Sequence, residues 1–184
     1  MPTKASTTDP RVGLRAGLTK AAEVAHNITL VSHHAKPAVL EGEAGSRGLI
    51  FANSGLAFQG NYIFQGNFSG FQVWDIANPA NPVLANATVC ATGQGDPSIY
   101  DNLLFISSEN TGDRTDCGMQ GVQEQVSRDR AVGVRIYDVS DMAPPRKVID
   151  VRTCRGSHTH THSYPTRTTR TSSTCTSPAG RPAD

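Results

Sequence analysis

Residues 70–82 read GFQVWDIANPANP, and residues 133–145 read GVRIYDVSDMAPP, so a second copy follows the first without a gap at an offset of 63 (133 − 70). The two copies share a leading glycine, two β-branched positions, an aromatic residue followed by aspartate, and a closing proline. Each copy alternates apolar or aromatic residues with polar ones, which is the period of a half-buried β-strand. The sequence therefore predicts a repeated strand unit.

Further strand patterns surround both copies. Each copy leads into another strand, residues 83–89 or 146–151, and each of these strands runs towards a cysteine. Ahead of the first copy, GLAFQGNYIFQGN at 55–67 contains two apolar runs divided by Gly-Asn, a dipeptide that suits a hairpin turn. SIYDNLLFIS at 98–107 echoes this hairpin before the second copy, and ITLV at 28–31 is also strand-like.

An aspartate and a proline stand at the same positions in both copies, and we predict that they shape the turn after the strand. Asp75 and Asp138 follow the aromatic residue, where a carboxylate can accept backbone N–H bonds in the next turn. Pro82 and Pro145 fix the chain as it leaves that turn. Because the aspartates recur at equivalent positions of a repeat, we expect them to shape turns rather than to catalyse a reaction.

The composition and net charge of the chain indicate which partners and locations are to be expected. The chain has 184 residues, 37% of them hydrophobic, 18% charged, and a formal net charge of +1. This charge gives no indication of a nucleic-acid partner or an anionic membrane. No stretch reaches the roughly 20 apolar residues of a transmembrane helix, and the first ten residues have no signal-peptide pattern.

A unit of several short strands repeated at a long period is typical of a β-propeller blade or a β-solenoid coil, and such units must stack on neighbours. We predict an all-β fold: an incomplete β-propeller of about two to three blades of short antiparallel strands. The predicted organisation is an irregular N-terminal arm (1–27), the propeller fragment (28–161) and a disordered C-terminal tail (162–184).

The repeat resembles the LVIVD repeat family of secreted and surface β-propellers, in its actinobacterial form. The motif positions are Val73, Trp74, Asp75 and Ile76 in the first copy and Ile136, Tyr137, Asp138 and Val139 in the second. GSHTHT at 156–161 resembles a stretch that follows the second unit in actinobacterial members. The resemblance implies a propeller fold and an extracellular or cell-surface location, but no reaction.

The tail has a different composition. No Val, Ile, Leu, Phe, Asp or Glu occurs from His162 to Ala183. One interpretation is a Thr/Ser/Arg-rich linker or glycosylated stalk. The favoured interpretation is a frameshift, because sliding the frame by one base over GC-rich codons restores a turn-and-strand pattern, and the chain would then be truncated.

Cysteines and histidines supply the candidate sites. Cys90, Cys117 and Cys154 lie before the tail, and no C-x-x-C motif is present. Two alternatives remain for these three cysteines: a disulfide between Cys90 and Cys117, or three free thiols. On a strand, His158 and His160 would share a side and could bind a divalent transition metal such as Zn²⁺, Cu²⁺ or Fe²⁺. The alternative is a polar strand whose histidines and threonines only hydrogen-bond.

Two functions follow from these observations. The favoured hypothesis is a non-enzymatic binding or interaction scaffold of the cell exterior, whose partner would be a protein or another surface ligand. The alternative is a metal-dependent extracellular enzyme or metal-binding protein that uses His158 and His160. Bound metal with an open coordination position would distinguish them.

Overall fold

A computed structural model of the protein describes residues 8–17, 20–41, 52–124, 126–162 and 175–176. For residues 161–162 and 175–176 it describes the backbone alone. The chain divides into two compact units, Met1–His33 and His34–Asp184. The described residues of the first unit form turns and irregular backbone without a helix or strand. Among the described residues, no helix is long and apolar enough to span a bilayer.

The strand expected at 28–31 is absent from the structure. This stretch has irregular backbone, and Ile28, Leu30 and Val31 are all exposed. A β-branched run forms a strand only where a neighbouring strand pairs with it, and no strand of the described residues does so here. The prediction of a strand at this position was wrong.

The second unit is all-β. After a 3₁₀ turn at Ala38–Leu40, two four-stranded antiparallel meanders follow, sheet 1 with the order β1-β2-β3-β4 and sheet 2 with the order β5-β6-β7-β8. Sheet 1 consists of β1 (Asn53–Gln59), β2 (Tyr62–Asn67), β3 (Gly70–Asp75) and β4 (Val83–Val89). Sheet 2 consists of β5 (Pro97–Tyr100), β6 (Leu103–Ser108), β7 (Gly133–Asp138) and β8 (Arg146–Arg152). Two short segments, β9 (Thr161–His162) and β10 (Cys175–Thr176), pair with each other.

The pairing of β3 with β4 has the same register as the pairing of β7 with β8. In sheet 1, β3 pairs with β4 from Gly70↔Val89 to Asp75↔Val83, with a bulge after Val73. In sheet 2, β7 pairs with β8 from Gly133↔Arg152 to Asp138↔Arg146, with a bulge after Ile136. Every one of these positions differs by 63, so the two sheets share one register, including the irregularity.

The hairpins before the two copies are also equivalent. β1 and β2 turn through Gly60-Asn61, and β5 and β6 turn through Asp101-Asn102, with positive φ at Gly60 and Asp101. These positions differ by 41 rather than 63. The difference of 22 residues is the extra length of the segment between β6 and β7, which is described below.

The recurring aspartates close equivalent turns. The Asp75 carboxylate accepts a hydrogen bond from the backbone N–H of Ala77 (2.8 Å), and Asp138 accepts one from the N–H of Ser140 (2.9 Å). Hydrogen bonds from Ser140 and the nearby Arg146 guanidinium hold the pKa of Asp138 well below its usual range. These contacts fit the structural role expected from the sequence. Pro82 and Pro145 lie directly before β4 and β8.

One core joins the two sheets. Its buried residues are Ala57, Phe64, Phe71 and Val73 from sheet 1, and Leu104, Ile106, Tyr137 and Val139 from sheet 2 or the residue after it. The rings of Phe71 and Tyr137 meet edge to face, with centroids 4.9 Å apart. The two sheets therefore pack face to face, and neither buries this surface alone.

The central strands differ from the predicted half-buried pattern. β3 is buried at four successive residues, Gly70 to Val73, and β7 at Gly133 to Arg135. The polar residues of the alternation, Gln72 and Arg135, are thus as buried as the apolar ones. The half-buried interpretation was wrong because both faces of these strands are covered.

Candidate functional site

The main difference between the sheets is one connection. In sheet 1 only Phe68 and Ser69 link β2 to β3, whereas in sheet 2 residues 109–132 link β6 to β7. We call residues 109–132 the insertion loop. Since loops held on a rigid sheet commonly carry binding or catalytic residues, this loop is the first candidate for a functional surface.

A disulfide fixes the insertion loop to the other sheet. Cys117 of the loop is bonded to Cys90, the fully buried residue directly after β4, with their Cα atoms 4.5 Å apart. Of the two alternatives that the sequence allowed, the structure has the Cys90–Cys117 disulfide. Cys154 is exposed and free. The disulfide thus joins the end of sheet 1 to a loop that leaves sheet 2.

A buried arginine lies beside this disulfide. Arg135 of β7 is 1% exposed, and its guanidinium donates to the carbonyl oxygens of Ala91 (2.8 Å) and Arg114 (3.0 Å) and faces the Asp150 carboxylate at 3.4 Å. One acceptor lies after β4, one in the insertion loop and one on β8. Arg135 therefore connects both sheets and the loop through one charged group.

Asp150 and Lys147 extend this network. The Lys147 ammonium lies 3.0 Å from Asp150 and also donates to the backbone carbonyl of Thr115 in the insertion loop. Two cations thus share one largely buried carboxylate, which reduces the cost of burying charge. The loop is anchored through its backbone at Arg114 and Thr115, next to the disulfide.

The base of the loop contains a second buried carboxylate. Asp113 is 4% exposed and accepts hydrogen bonds from the side chains of Asn110 (2.9 Å) and Ser108 (3.4 Å). Burial raises the pKa of Asp113 from 3.8 to about 6, an effect that the nearby Arg135 charge partly opposes. The folded protein therefore favours the neutral form of Asp113 up to about pH 6.

The outer part of the loop exposes charged and apolar groups together. Arg114 pairs with Asp116 at 2.7 Å and approaches Asp129 at 3.8 Å, and the hydrogen bond from Arg114 holds the pKa of Asp116 well below its usual range. Met119 is 60% exposed and Val126 is 94% exposed. The outer surface of the loop therefore carries ion pairs next to exposed apolar side chains.

The two histidines predicted to bind a metal contact different groups. The His158 Nδ1 lies 2.7 Å from the Glu109 carboxylate, and the His160 Nδ1 lies 2.7 Å from the Ser107 hydroxyl. The Nε2 of His160 contacts the Ser98 hydroxyl. His158 and Thr159 form a bend, so the strand geometry on which the expected convergence rested is absent.

No group of three or more metal-ligating side chains is found among the described residues. Glu109 and Ser107, which His158 and His160 contact, lie at the end of β6 where the insertion loop begins. Metal binding by His158 and His160 stays a prediction, because their geometry shows hydrogen-bond partners and does not test a metal.

Comparison with protein-family models, with curated proteins and with solved structures finds no match for this chain. The protein is an all-β protein of two four-stranded antiparallel sheets that pack face to face, with an insertion loop fixed by a disulfide. The resemblance to the LVIVD repeat family stays a prediction.

Sequence reasoning missed Arg135, Asp150 and Asp113 as members of one buried network. Arg135 and Asp150 are directly paired across β7 and β8. The sequence alone did not give the β7–β8 register that places residue 135 opposite residue 150. Nothing in the sequence indicated that this face of β7 is covered by the loop.

Proposed function

We propose that this chain is a binding module of the cell exterior, that its sheets are neighbouring blades of a β-propeller, and that the insertion loop contacts its partner. The observation that carries the proposal is the loop itself. Between the two sheets as described, it is the one long connection without an equivalent, and it is fixed by the Cys90–Cys117 disulfide. A loop ordered in advance loses less conformational entropy on binding.

The contacts at the loop base support this proposal. Arg135, Lys147 and the disulfide hold the loop at residues 114–117. Met119 and Val126 remain exposed beyond these anchors. Apolar side chains held on a fixed polar loop are the kind of contacts that concentrate binding energy.

The exterior location is supported by the same disulfide. Structural disulfides persist in oxidising compartments and are rare in the reducing cytosol. Cys90 is fully buried, and Cys117 is half-buried.

The propeller assignment is supported by the shared register of the sheets and their face-to-face packing. The chain after β8 also fits it. Gly93 and Gly156, which are 63 positions apart, both have positive φ, and β9 begins 63 positions after Ser98 of β5. Thr161 therefore lies where a third unit would begin.

A binding experiment tests the proposal. Fluorescently labelled protein is titrated onto intact cells and isolated cell walls of an actinobacterium, the group to which the resemblance points. We expect saturable binding by the native chain. Met119→Asp and Val126→Asp should weaken it at least about tenfold, because each replaces an exposed apolar contact with a charge.

The matched control is Val39→Asp, which makes the same kind of change at an exposed valine (56%) outside the insertion loop. It should bind like the native chain. Binding that the loop variants leave unchanged, or no saturable binding to either preparation, would refute the role of the loop. The native chain assayed with and without added Zn²⁺ distinguishes the metal-dependent alternative.

A further inference from the structure

The two sheets end in edge strands of different chemistry. β4 and β8 are the last strands of their sheets, and among the described residues each pairs with a single neighbouring strand, β3 or β7. At positions 63 residues apart, β8 is charged where β4 is not: Arg146, Lys147, Asp150 and Arg152 stand in place of Val83, Leu84, Ala87 and Val89. Charged residues on an edge strand oppose the addition of a further strand. β8 has this protection, and β4 lacks it.

The insertion loop uses the charged groups of β8. The side chains of Lys147 and Arg152 both donate to backbone carbonyl oxygens of that loop. Within the described part of the chain, no backbone hydrogen bond besides the pairing with β3 reaches residues 83–89. The 3₁₀ turn at Ala38–Leu40 lies beside β4, but the backbone hydrogen bonds of this turn are local. The outer backbone groups of β4 are therefore not paired with another described strand or turn.

An apolar row of side chains ends at the edge of β4. Sheet 1 packs on sheet 2 through the face that carries Phe64, Phe71 and Val73, which we call the front face. The opposite or back face of sheet 1 carries the cross-strand row Phe58-Ile63-Trp74-Leu84. The equivalent row on the back face of sheet 2 is Ile99-Leu104-Tyr137-Lys147. The row of sheet 2 thus ends in a charge, whereas that of sheet 1 ends in an apolar side chain.

This end of the row is accessible. Leu84 is 38% exposed, and the neighbouring Val83 is 59% exposed. His34 lies against Trp74, with ring centroids 5.5 Å apart, and so contacts the row one strand before its end. A further strand beside β4 would therefore meet an open apolar edge.

The first unit contains a strand-like segment that is not paired. Residues 28–31 read ITLV, a sequence without charge and rich in residues that favour strands. Ile28 is 74% exposed, Leu30 63% and Val31 64%. No backbone hydrogen bond joins this segment to another described residue. The segment thus lacks a neighbouring strand, just as the edge of β4 does.

We propose that residues 28–31 of one copy of this chain add to β4 of a second copy, as a fifth strand of sheet 1. Main-chain hydrogen bonds would then satisfy both the segment and the edge, as in other cases of β-strand addition. Ile28 and Leu30 lie on one side of an extended segment, because side chains alternate along a strand. On the back face they would continue the apolar row beyond Leu84. The single chain leaves both elements unpaired, so the occupant is a second copy.

Reciprocal addition closes a symmetric dimer, since each copy carries one segment and one edge. Exchange of an element between identical chains is a known route to closed dimers. The contact lies at the outer edge of sheet 1 and leaves the face-to-face packing of the two sheets unchanged. It also does not use the insertion loop, so it stands or fails independently of the proposed binding function.

Sedimentation velocity of the full chain over a wide range of concentration tests the proposal. We expect the native protein to form reversible dimers. Thr29→Pro should weaken the dimer at least about tenfold, because proline removes an N–H group from the added strand. Leu84→Lys gives β4 the residue that β8 has at the equivalent position, and it should weaken the dimer to a similar extent.

Two control variants make the same kinds of change elsewhere. Ala25→Pro places a proline at an exposed residue of irregular backbone in the first unit, outside residues 28–31. Val126→Lys places a charge on an exposed apolar side chain of the insertion loop. Both variants should dimerise like the native chain.

A labelled peptide of residues 26–33 tests the two elements separately. In fluorescence anisotropy it should bind saturably to the Thr29→Pro chain, whose β4 edge is intact, and at least about tenfold more weakly to Leu84→Lys. Val83→Arg replaces Leu84→Lys in both assays if the latter loses its native circular dichroism. A native chain that stays monomeric, dimers that survive Thr29→Pro, an equal loss in either control, or a peptide that binds both variants alike would each overturn the proposal.

Discussion

Sheets 1 and 2 have equivalent strand orders, the same register between their last two strands and a bulge at the same position, yet they differ in one connection and in the buried polar residue of the third strand. Where sheet 1 has a two-residue link and the neutral Gln72, sheet 2 has the insertion loop and Arg135. Gln72 donates to the side chains of Gln65 and Asn53 within its own sheet, whereas Arg135 reaches the loop and the other sheet.

The difference shows how an added loop is accommodated. The strand scaffold is unchanged by the insertion, because β6 and β7 still pair along their full length. The new backbone is held by groups that sheet 1 does not need: a disulfide, an arginine and a lysine. The strands of sheet 2 thus keep the pairing seen in sheet 1, and the added backbone is held by contacts of its own.

The largest effect is expected where the sheets are most alike. A Cβ at Gly70 would lie 1.9 Å from the Thr88 carbonyl oxygen, and one at Gly133 would lie 2.1 Å from the Val151 oxygen. Gly70→Ala and Gly133→Ala should each lower the free energy of unfolding by about 3 to 5 kcal/mol, as measured by urea denaturation.

Gly60→Ala is the control for these two variants. Gly60 also has positive φ, but a Cβ there meets nothing within 4 Å. It should cost only about 1 kcal/mol. Equal losses at Gly60 and Gly70 would show that backbone conformation, and not close strand approach, governs these sites.

The disulfide should come next in size. Cys90→Ser combined with Cys117→Ser opens a bond between residues 27 apart and should lower the free energy of unfolding by about 3 kcal/mol. Hydrogen exchange should then quicken in the insertion loop more than in sheet 1. Cys154→Ser, at an exposed free thiol, should change neither measurement; an equal loss in that variant would contradict the assigned role.

Arg135→Gln gives sheet 2 the residue that sheet 1 has at the equivalent position. Because the loop carbonyl of Arg114 and the Asp150 carboxylate lose a charged donor, the free energy of unfolding should fall by about 2 kcal/mol. Arg146→Gln makes the same change at an exposed arginine of β8 and should cost less than about 0.5 kcal/mol. If both variants cost the same in denaturant titrations, Arg135 does not anchor the loop.

The smallest effect is a pH dependence of the free energy of unfolding, which comes from Asp113 in the insertion loop and has no counterpart in sheet 1. Since the pKa of Asp113 is raised from 3.8 to about 6, the folded protein holds a proton there that the unfolded chain has released. The stability contributed by this group is complete below pH 3.8 and is lost as the pH rises through 6. Asp113→Asn should flatten this decline by on the order of 1 kcal/mol.

Melting curves recorded from pH 4 to pH 7 check this expectation. Asp116→Asn, an exposed carboxylate of the same loop, is the control and should retain the native decline over that interval. A native chain without any decline, or a decline that survives Asp113→Asn, would mean that Asp113 is not the group responsible.

The sequence predicted the strands and hairpins that the two sheets share, and it missed the buried contacts of the insertion loop. The hairpins and strands around residues 70–82 and 133–145 are confirmed, because alternation and turn residues are local properties of the sequence. The strand at 28–31 failed because pairing depends on a neighbour that the sequence does not identify. The Arg135–Asp150 pair and the contacts of His158 and His160 join residues 15 to 62 positions apart. Their signals are not local, so the network could not be predicted.

The tail lies mostly outside the described residues. The predictions of a frameshift and of disorder over 162–184 stay predictions, and the described backbone adds only the pairing of Cys175–Thr176 with Thr161–His162. The domain limits predicted at 27/28 and 161/162 likewise stay predictions.

The most direct test of the account is a double-mutant cycle between the sheets. Phe71→Leu and Tyr137→Leu remove the two rings that meet edge to face at 4.9 Å across the interface. If the front of sheet 1 packs on the back of sheet 2, urea denaturation should give a coupling energy of about 1 kcal/mol. Strictly additive losses would contradict the packing of the two repeated sheets on which the whole account rests.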